Sequence, residues 1–128
     1  MISRRQWLGL LPLLLLTMGS RRLTTHPTPR AGITAARVLR PDQLNAGADV
    51  IEIFDMVRAI PQVVDGIYCY CGCAEIEGQY SLLSCFEADG MAQACIICQG
   101  EARMTYRLHR EGASLDTIRT AIDRNFAR

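Results

Sequence analysis

The chain has 128 residues, 21% of them charged, and a formal net charge of +1. That length holds one domain, and that balance leaves no excess of positive charge with which to grip nucleic acid. The small net charge hides an asymmetry. Every basic side chain other than histidine is Arg, seven of these lie before Asp42, and all thirteen acidic residues lie from Asp42 onward, so the later part carries −6. A basic leader joined to an acidic domain argues further against a nucleic-acid partner.

Taken in chain order, residues 1–20 read as an export signal. Arg4 and Arg5 precede an apolar run from Leu8 to Met18 that Pro12 interrupts, too short for a comfortable transmembrane helix. Ser3-Arg4-Arg5-Gln6-Trp7-Leu8 resembles a twin-arginine signal, with Trp7 in the aromatic place. The expected location is the periplasm or the outer face of the cytoplasmic membrane, with membrane contact only through the leader if it stays uncleaved. No cysteine follows the apolar run, so no lipid anchor is expected. Residues 21–41, with Thr24, Thr25, Pro27, Thr28 and Pro29, lack apolar periodicity and read as a flexible tether in which His26 is solvated.

From there on the patterns are helical. Ala46, Val50, Ile53, Val57 and Ile60 predict a helix over residues 43–60, stopped by Pro61. Pro61-Gln62-Val63-Val64-Asp65 suits one short helical turn closed by Gly66. Tyr68-Cys69-Tyr70-Cys71-Gly72-Cys73 follows at once. Its three cysteines would splay apart on a helix, so it reads as an extended or turning loop, with the two tyrosines covering a small core and keeping wet hydroxyls. Tyr80–Phe86 is a short apolar piece containing Cys85, and Glu87-Ala88-Asp89-Gly90 is a loop. A third helix is expected from about Met91 or Gln93 to Glu111, with Ile97, Met104 and Leu108 on one side and Cys98, Ala102 and Tyr106 beside them. Ser114 caps a last helix over residues 115–126, striped by Leu115, Ile118, Ile122 and Phe126. The fold class is mainly α: a small helical bundle over residues 42–128 with an irregular cysteine-rich loop packed on it.

All six cysteines fall between Cys69 and Cys98: Cys69, Cys71, Cys73, Cys85, Cys95 and Cys98. Between Arg58 and Arg103 there is no Arg, Lys or His, but there are Asp65, Glu75, Glu77, Glu87, Asp89 and Glu101. Three chemistries fit such a segment. Clustered thiolates bind soft or borderline cations, Cu(I) or Zn, and surrounding carboxylates favour cations. C-x-C and C-x-x-C are also spacings for a thiol–disulfide redox protein with a redox partner, although acidic surroundings disfavour the attacking thiolate. Six cysteines in a small exported domain also suit three structural disulfides.

For the metal reading, Cys71, Cys73, Cys95 and Cys98 are the expected ligands, with Cys69 and Cys85 supporting. His109 is not a candidate, because a continuous helix would carry it about 16 Å along the axis from Cys98. No catalytic triad, phosphate loop or carboxylate dyad is legible, which favours a binding protein over an enzyme.

Four stretches carry a resemblance: Tyr68-Cys69-Tyr70-Cys71-Gly72-Cys73, Ser81-Leu82-Leu83-Ser84-Cys85-Phe86, Cys95-x-x-Cys98 and Ser114-Leu115-x-x-Ile118-Arg119-x-x-Ile122-Asp123. Over about residues 48–126 the chain resembles the bacterial PCYCGC-motif proteins, also called the CYCXC family of (seleno)proteins. The resemblance implies an exported protein whose biochemical role is uncharacterised. Tyr68 stands where the name-giving Pro would be, and the lipid-anchor cysteine of many relatives is missing. Selenocysteine in some relatives implies a site position capable of redox or soft-metal chemistry.

Overall fold

The computed structural model describes residues 25–128; the expected export signal lies outside the described residues. Among the described residues the secondary structure is helical, apart from an isolated antiparallel bridge between Val38 and Glu87. No helix among them is long and apolar enough to cross a membrane.

Helix α1 spans Ala48–Ala59 and buries Ile53, Phe54 and Val57. It starts later than the periodicity predicts, because Pro41–Gln43 turns as a separate 3-10 segment and Gly47, in extended backbone, is the N-cap. Its end follows from Pro61: the residue before a proline is driven out of the helical region, and Ile60 sits at φ −135°, ψ 47°. Pro61 then opens the short helix α2, Pro61–Val64, where its missing N–H is no loss.

Helix α3, Ile96–Arg110, is the central element, packing against α1, α2 and the 3-10 segment Leu82–Phe86. Helix α4, Leu115–Phe126, packs along α3 and buries Ile118 and Ile122. The Ser114 hydroxyl accepts the Thr117 N–H at 3.2 Å, with Asp116 in the first turn and Arg124 in the last, as the positive and negative ends of a helix favour. Leu82–Phe86 is wholly buried, and Phe86 meets Phe54 edge to face with ring centroids 4.8 Å apart.

Two expectations need correction. Of the side expected for α3, Cys98 and Ala102 are buried and Met104, Tyr106 and Leu108 pack against the core, but the expectation leaves out the buried Glu101 and Thr105. The inward face carries a polar stripe, because it faces the cysteine loop as well as the apolar core. The second correction concerns the tether, whose described part is packed on the domain. Val38 is 2% exposed, and the Leu39 N–H donates to the Phe86 carbonyl at 3.1 Å. Arg30 grips fully buried Asp65 through its backbone N–H (2.8 Å), Nε (3.1 Å) and Nη2 (2.7 Å), and stacks over the Tyr80 ring. The Ser81 hydroxyl adds a fourth bond to Asp65 at 2.7 Å. Arg119 on α4 reaches both the Pro27 and Gly66 carbonyls. Periodicity is blind to such a segment, because it is held by polar clamps and by scattered apolar residues such as Val38 rather than by a regular apolar face.

Candidate metal centre

Three separate pieces of chain bring the thiols together. The first is the loop after α2. Ile67 is buried, and its carbonyl accepts the Leu82 N–H at 2.8 Å, which lays the cysteine run beside Leu82–Phe86. Gly72 sits at φ +91°, in the left-handed region that glycine enters without strain. That turn folds the run back so that Cys71 and Cys73 Sγ lie 2.7 Å apart. The second piece is Leu82–Phe86, capped by Ser81, which presents Cys85 Sγ 2.8 Å from Cys73 Sγ. A close approach holds it there: a Cβ on Gly90 would lie 2.1 Å from the Cys85 carbonyl oxygen, which accepts the Ala92 N–H. The third is the first turn of α3, which places Cys98 Sγ 3.5 Å from Cys69 Sγ. Cys69 is in turn 3.2 Å from Cys71.

The ligand atoms of Cys69, Cys71, Cys85 and Cys98 all lie within 4.8 Å of one another, and Cys73 touches two of these four. Cys69, Cys73, Cys85 and Cys98 are buried; Cys71 is half-buried. All six cysteines are free thiols, so the expectation of three disulfides does not describe this structure. Cys95, expected beside Cys98, stands apart. Helix α3 begins at Ile96 rather than near Met91, because Met91–Cys95 closes a separate turn, and Cys95 is the N-cap in extended backbone. Helical i, i+3 alignment of the two thiols needs both residues in the helix, and Cys95 lies outside it. Cys95 is half-buried, and no contact joins it to another sulfur among the described residues. His109, on the exposed side of α3, takes no part.

Packing five sulfurs together separates their acidities. Cys73 is pulled well below the ordinary thiol range, chiefly by its interaction with Cys69 and then by those with Cys85 and Cys98. Cys69 is pushed up, first by its interaction with Cys73, and Cys85 first by Cys69 and then by Cys73. Cys98 is eased by Cys69 but pushed up on balance by Cys73, Cys85 and burial, and burial leads the rise at Cys71. One sulfur thus releases its proton more readily than the rest.

Two further features were not legible as parts of the site. Glu101, one helical turn after Cys98, is fully buried. Its Oε1 accepts the Tyr70 N–H at 2.8 Å, pinning the middle of the cysteine run to α3. Burial pushes its carboxyl up to about 7, against weaker support from Cys69 and the Tyr70 N–H; its Oε2 has no partner at hydrogen-bond distance. The only sequence signal was its i+3 spacing from Cys98 on a helix.

The other feature is a bracket around the tyrosines. His26, whose side chain is 7% exposed, accepts the Tyr68 N–H at Nδ1 (3.0 Å), and its Nε2 lies 2.8 Å from Asp123. A backbone N–H can only donate, so the imidazole proton sits on Nε2 and points at Asp123. The Tyr70 hydroxyl donates to the same Asp123 oxygen at 2.5 Å. His26 is therefore a structural anchor rather than a solvated residue, and the Tyr70 hydroxyl is bonded within the protein.

Fold and site together define a small helical domain wrapped around a buried cluster of free thiols. Residues 31–128 match the family described as "Protein of unknown function with PCYCGC motif", and the chain belongs to that family. The match takes in the segment that bears Val38 as well as the helices. No curated protein matches the chain, and no solved structure does.

Proposed function

We propose that this protein captures a soft or borderline metal ion, Cu(I) or Zn, through its clustered thiolates, and that it does so outside the cytoplasm. One observation carries the reading: four cysteine sulfurs from three separate segments lie within 4.8 Å of one another as free thiols. A tetrahedral thiolate shell with bonds of about 2.3 Å needs its sulfurs about 3.8 Å apart, which small side-chain adjustments supply here. The absence of Arg, Lys and His between Arg58 and Arg103 keeps competing cations away. The export part of the reading rests on the leader.

A second reading, thiol–disulfide exchange with a protein partner, has one specific support. Cys73, the most acidic thiol, lies 2.8 Å from Cys85, close enough for one to resolve a mixed disulfide formed by the other. Against it, Cys73 is only 2% exposed, which bars a bulky partner disulfide.

Protein purified from the periplasmic fraction should carry stoichiometric Cu or Zn, and its thiols should be freed by chelation. Replacing Cys69 and Cys98 together by Ser should abolish binding. Affinity should fall as pH falls, about tenfold per unit for each proton displaced, because the raised thiols must be deprotonated. Metal-free protein that exchanges disulfides with a model substrate would favour the second reading.

A further inference from the structure

Resting on that metal-binding reading, we propose that the cluster is built for two Cu(I) ions sharing one bridging sulfur, rather than for a single tetrahedral ion. The argument starts from the fifth thiol. Cys69, Cys71, Cys85 and Cys98 would close the shell of one tetrahedral ion. Cys73 is surplus to that shell, yet it is buried at 2% exposure and in contact with two of its members. Around one ion it would be a fifth buried sulfur, in contact with two ligands but with no bond to the metal.

The order of the contacts resolves the surplus. The closest contacts follow one line through the cluster, Cys98–Cys69–Cys71–Cys73–Cys85, with successive separations of 3.5, 3.2, 2.7 and 2.8 Å, folded so that its two ends lie within 4.8 Å of each other. Cu(I) is content with two or three thiolates, and a thiolate has lone pairs enough to bridge two ions. Two three-coordinate ions sharing one sulfur use five sulfurs in all. In this line the shared sulfur is the middle one, Cys71. One ion then takes Cys98, Cys69 and Cys71; the other takes Cys71, Cys73 and Cys85.

The surroundings agree with this assignment. Cys71 is the half-buried member among buried ones, so the bridging sulfur is also the one that incoming ions reach first. Beside it Gly72 is open, with no atom within 4 Å of where a Cβ would stand. The line is all sulfur, the donor that selects Cu(I) over oxygen-preferring ions. Each thiol that becomes a ligand gives its proton to the solvent, and no electron transfer is involved.

The test is an anaerobic titration of the reduced full chain with Cu(I), in competition with bicinchoninate and read by native mass spectrometry. The expected end point is two Cu(I) per chain, with X-ray absorption showing sulfur-only ligation and a Cu···Cu distance. Cys73→Ser should lower the end point to one, and Cys95→Ser should leave it at two. A wild-type end point of one, unchanged by Cys73→Ser, would overturn the shared-sulfur site and leave the single-ion reading standing. No stoichiometric uptake would overturn both. If Cys73→Ser fails to fold by circular dichroism, the wild-type end point and its Cu···Cu distance decide alone.

Discussion

Glu101 shows how much one residue of α3 is asked to do. It turns a carboxylate toward a thiol cluster in a place with no water, and it fixes the backbone of Tyr70 in doing so. A carboxyl raised by burial holds its proton more tightly in the folded than in the unfolded chain. Its contribution to stability is therefore greatest below the ordinary value of 4.5 and is lost as pH rises through about 7. The metal-free, reduced protein should lose up to about 3 kcal/mol from this source across that window. Glu101→Gln keeps the shape and removes the charge, so urea titrations at several pH values should show the variant gaining on wild type as pH rises through that window. A constant difference between the two would mean that the carboxyl is not ionising in that range.

At the scale of elements, the site depends on how Leu82–Phe86 is set between the cysteine run and α3. Ser81 caps it and the Ser84 hydroxyl accepts the Tyr80 N–H at 3.0 Å, while its Leu82 N–H and Phe86 carbonyl bond across to Ile67 and Leu39. What fixes its depth is the return of the chain at Gly90, against the Cys85 backbone. Gly90→Ala puts a methyl group 2.1 Å from a carbonyl oxygen, a contact that only backbone movement relieves. The expected loss is about 2–4 kcal/mol, in the upper range for overpacking because backbone rather than side chain must move. The same movement shifts Cys85, so metal affinity should fall with thermal stability. A variant as stable as wild type would show that the loop yields freely.

For the whole molecule, the decisive contact is the buried pairing of Arg30 with Asp65, which joins the N-terminal segment to the start of the cysteine run. Burial works against the Asp65 charge, but the Arg30 guanidinium and N–H and the Ser81 hydroxyl outweigh it and hold the carboxyl below its ordinary value. A depressed carboxyl contributes its stability above the unfolded value of about 3.9 and loses it as pH falls through the lower folded value. Asp65→Asn should cost about 2–3 kcal/mol at neutral pH, short of a fully buried pair because Arg30 stays 35% exposed. Hydrogen exchange should then show amides of residues 25–40 losing protection before those of α1 and α4. Uniform loss across the domain would mean that the segment and the bundle unfold as one unit.

The sequence by itself determined where the main helices lie and that the site is made of thiols. Proline at position 61, the Ser114 cap and the apolar repeats of α1 and α4 are local signals, and each acts on neighbours within a turn or two. The placement of Cys69–Cys73 outside regular helix followed from side-chain directions alone. Which thiols meet was a different matter. Cys69 and Cys98 are 29 positions apart, and Arg30 and Asp65 are 35 apart. No local propensity encodes such pairings; they follow from how α3 lies across the cysteine run. Cys95 illustrates the difference most sharply. Its spacing from Cys98 marks a pair, but a helix that starts at Ile96 leaves it outside. Cys69 and Cys85, expected only in support, take full places in the cluster beside Cys71 and Cys98, and Glu101 joins them, because the tertiary fold sets which side chains share one buried volume, and spacing along the chain does not.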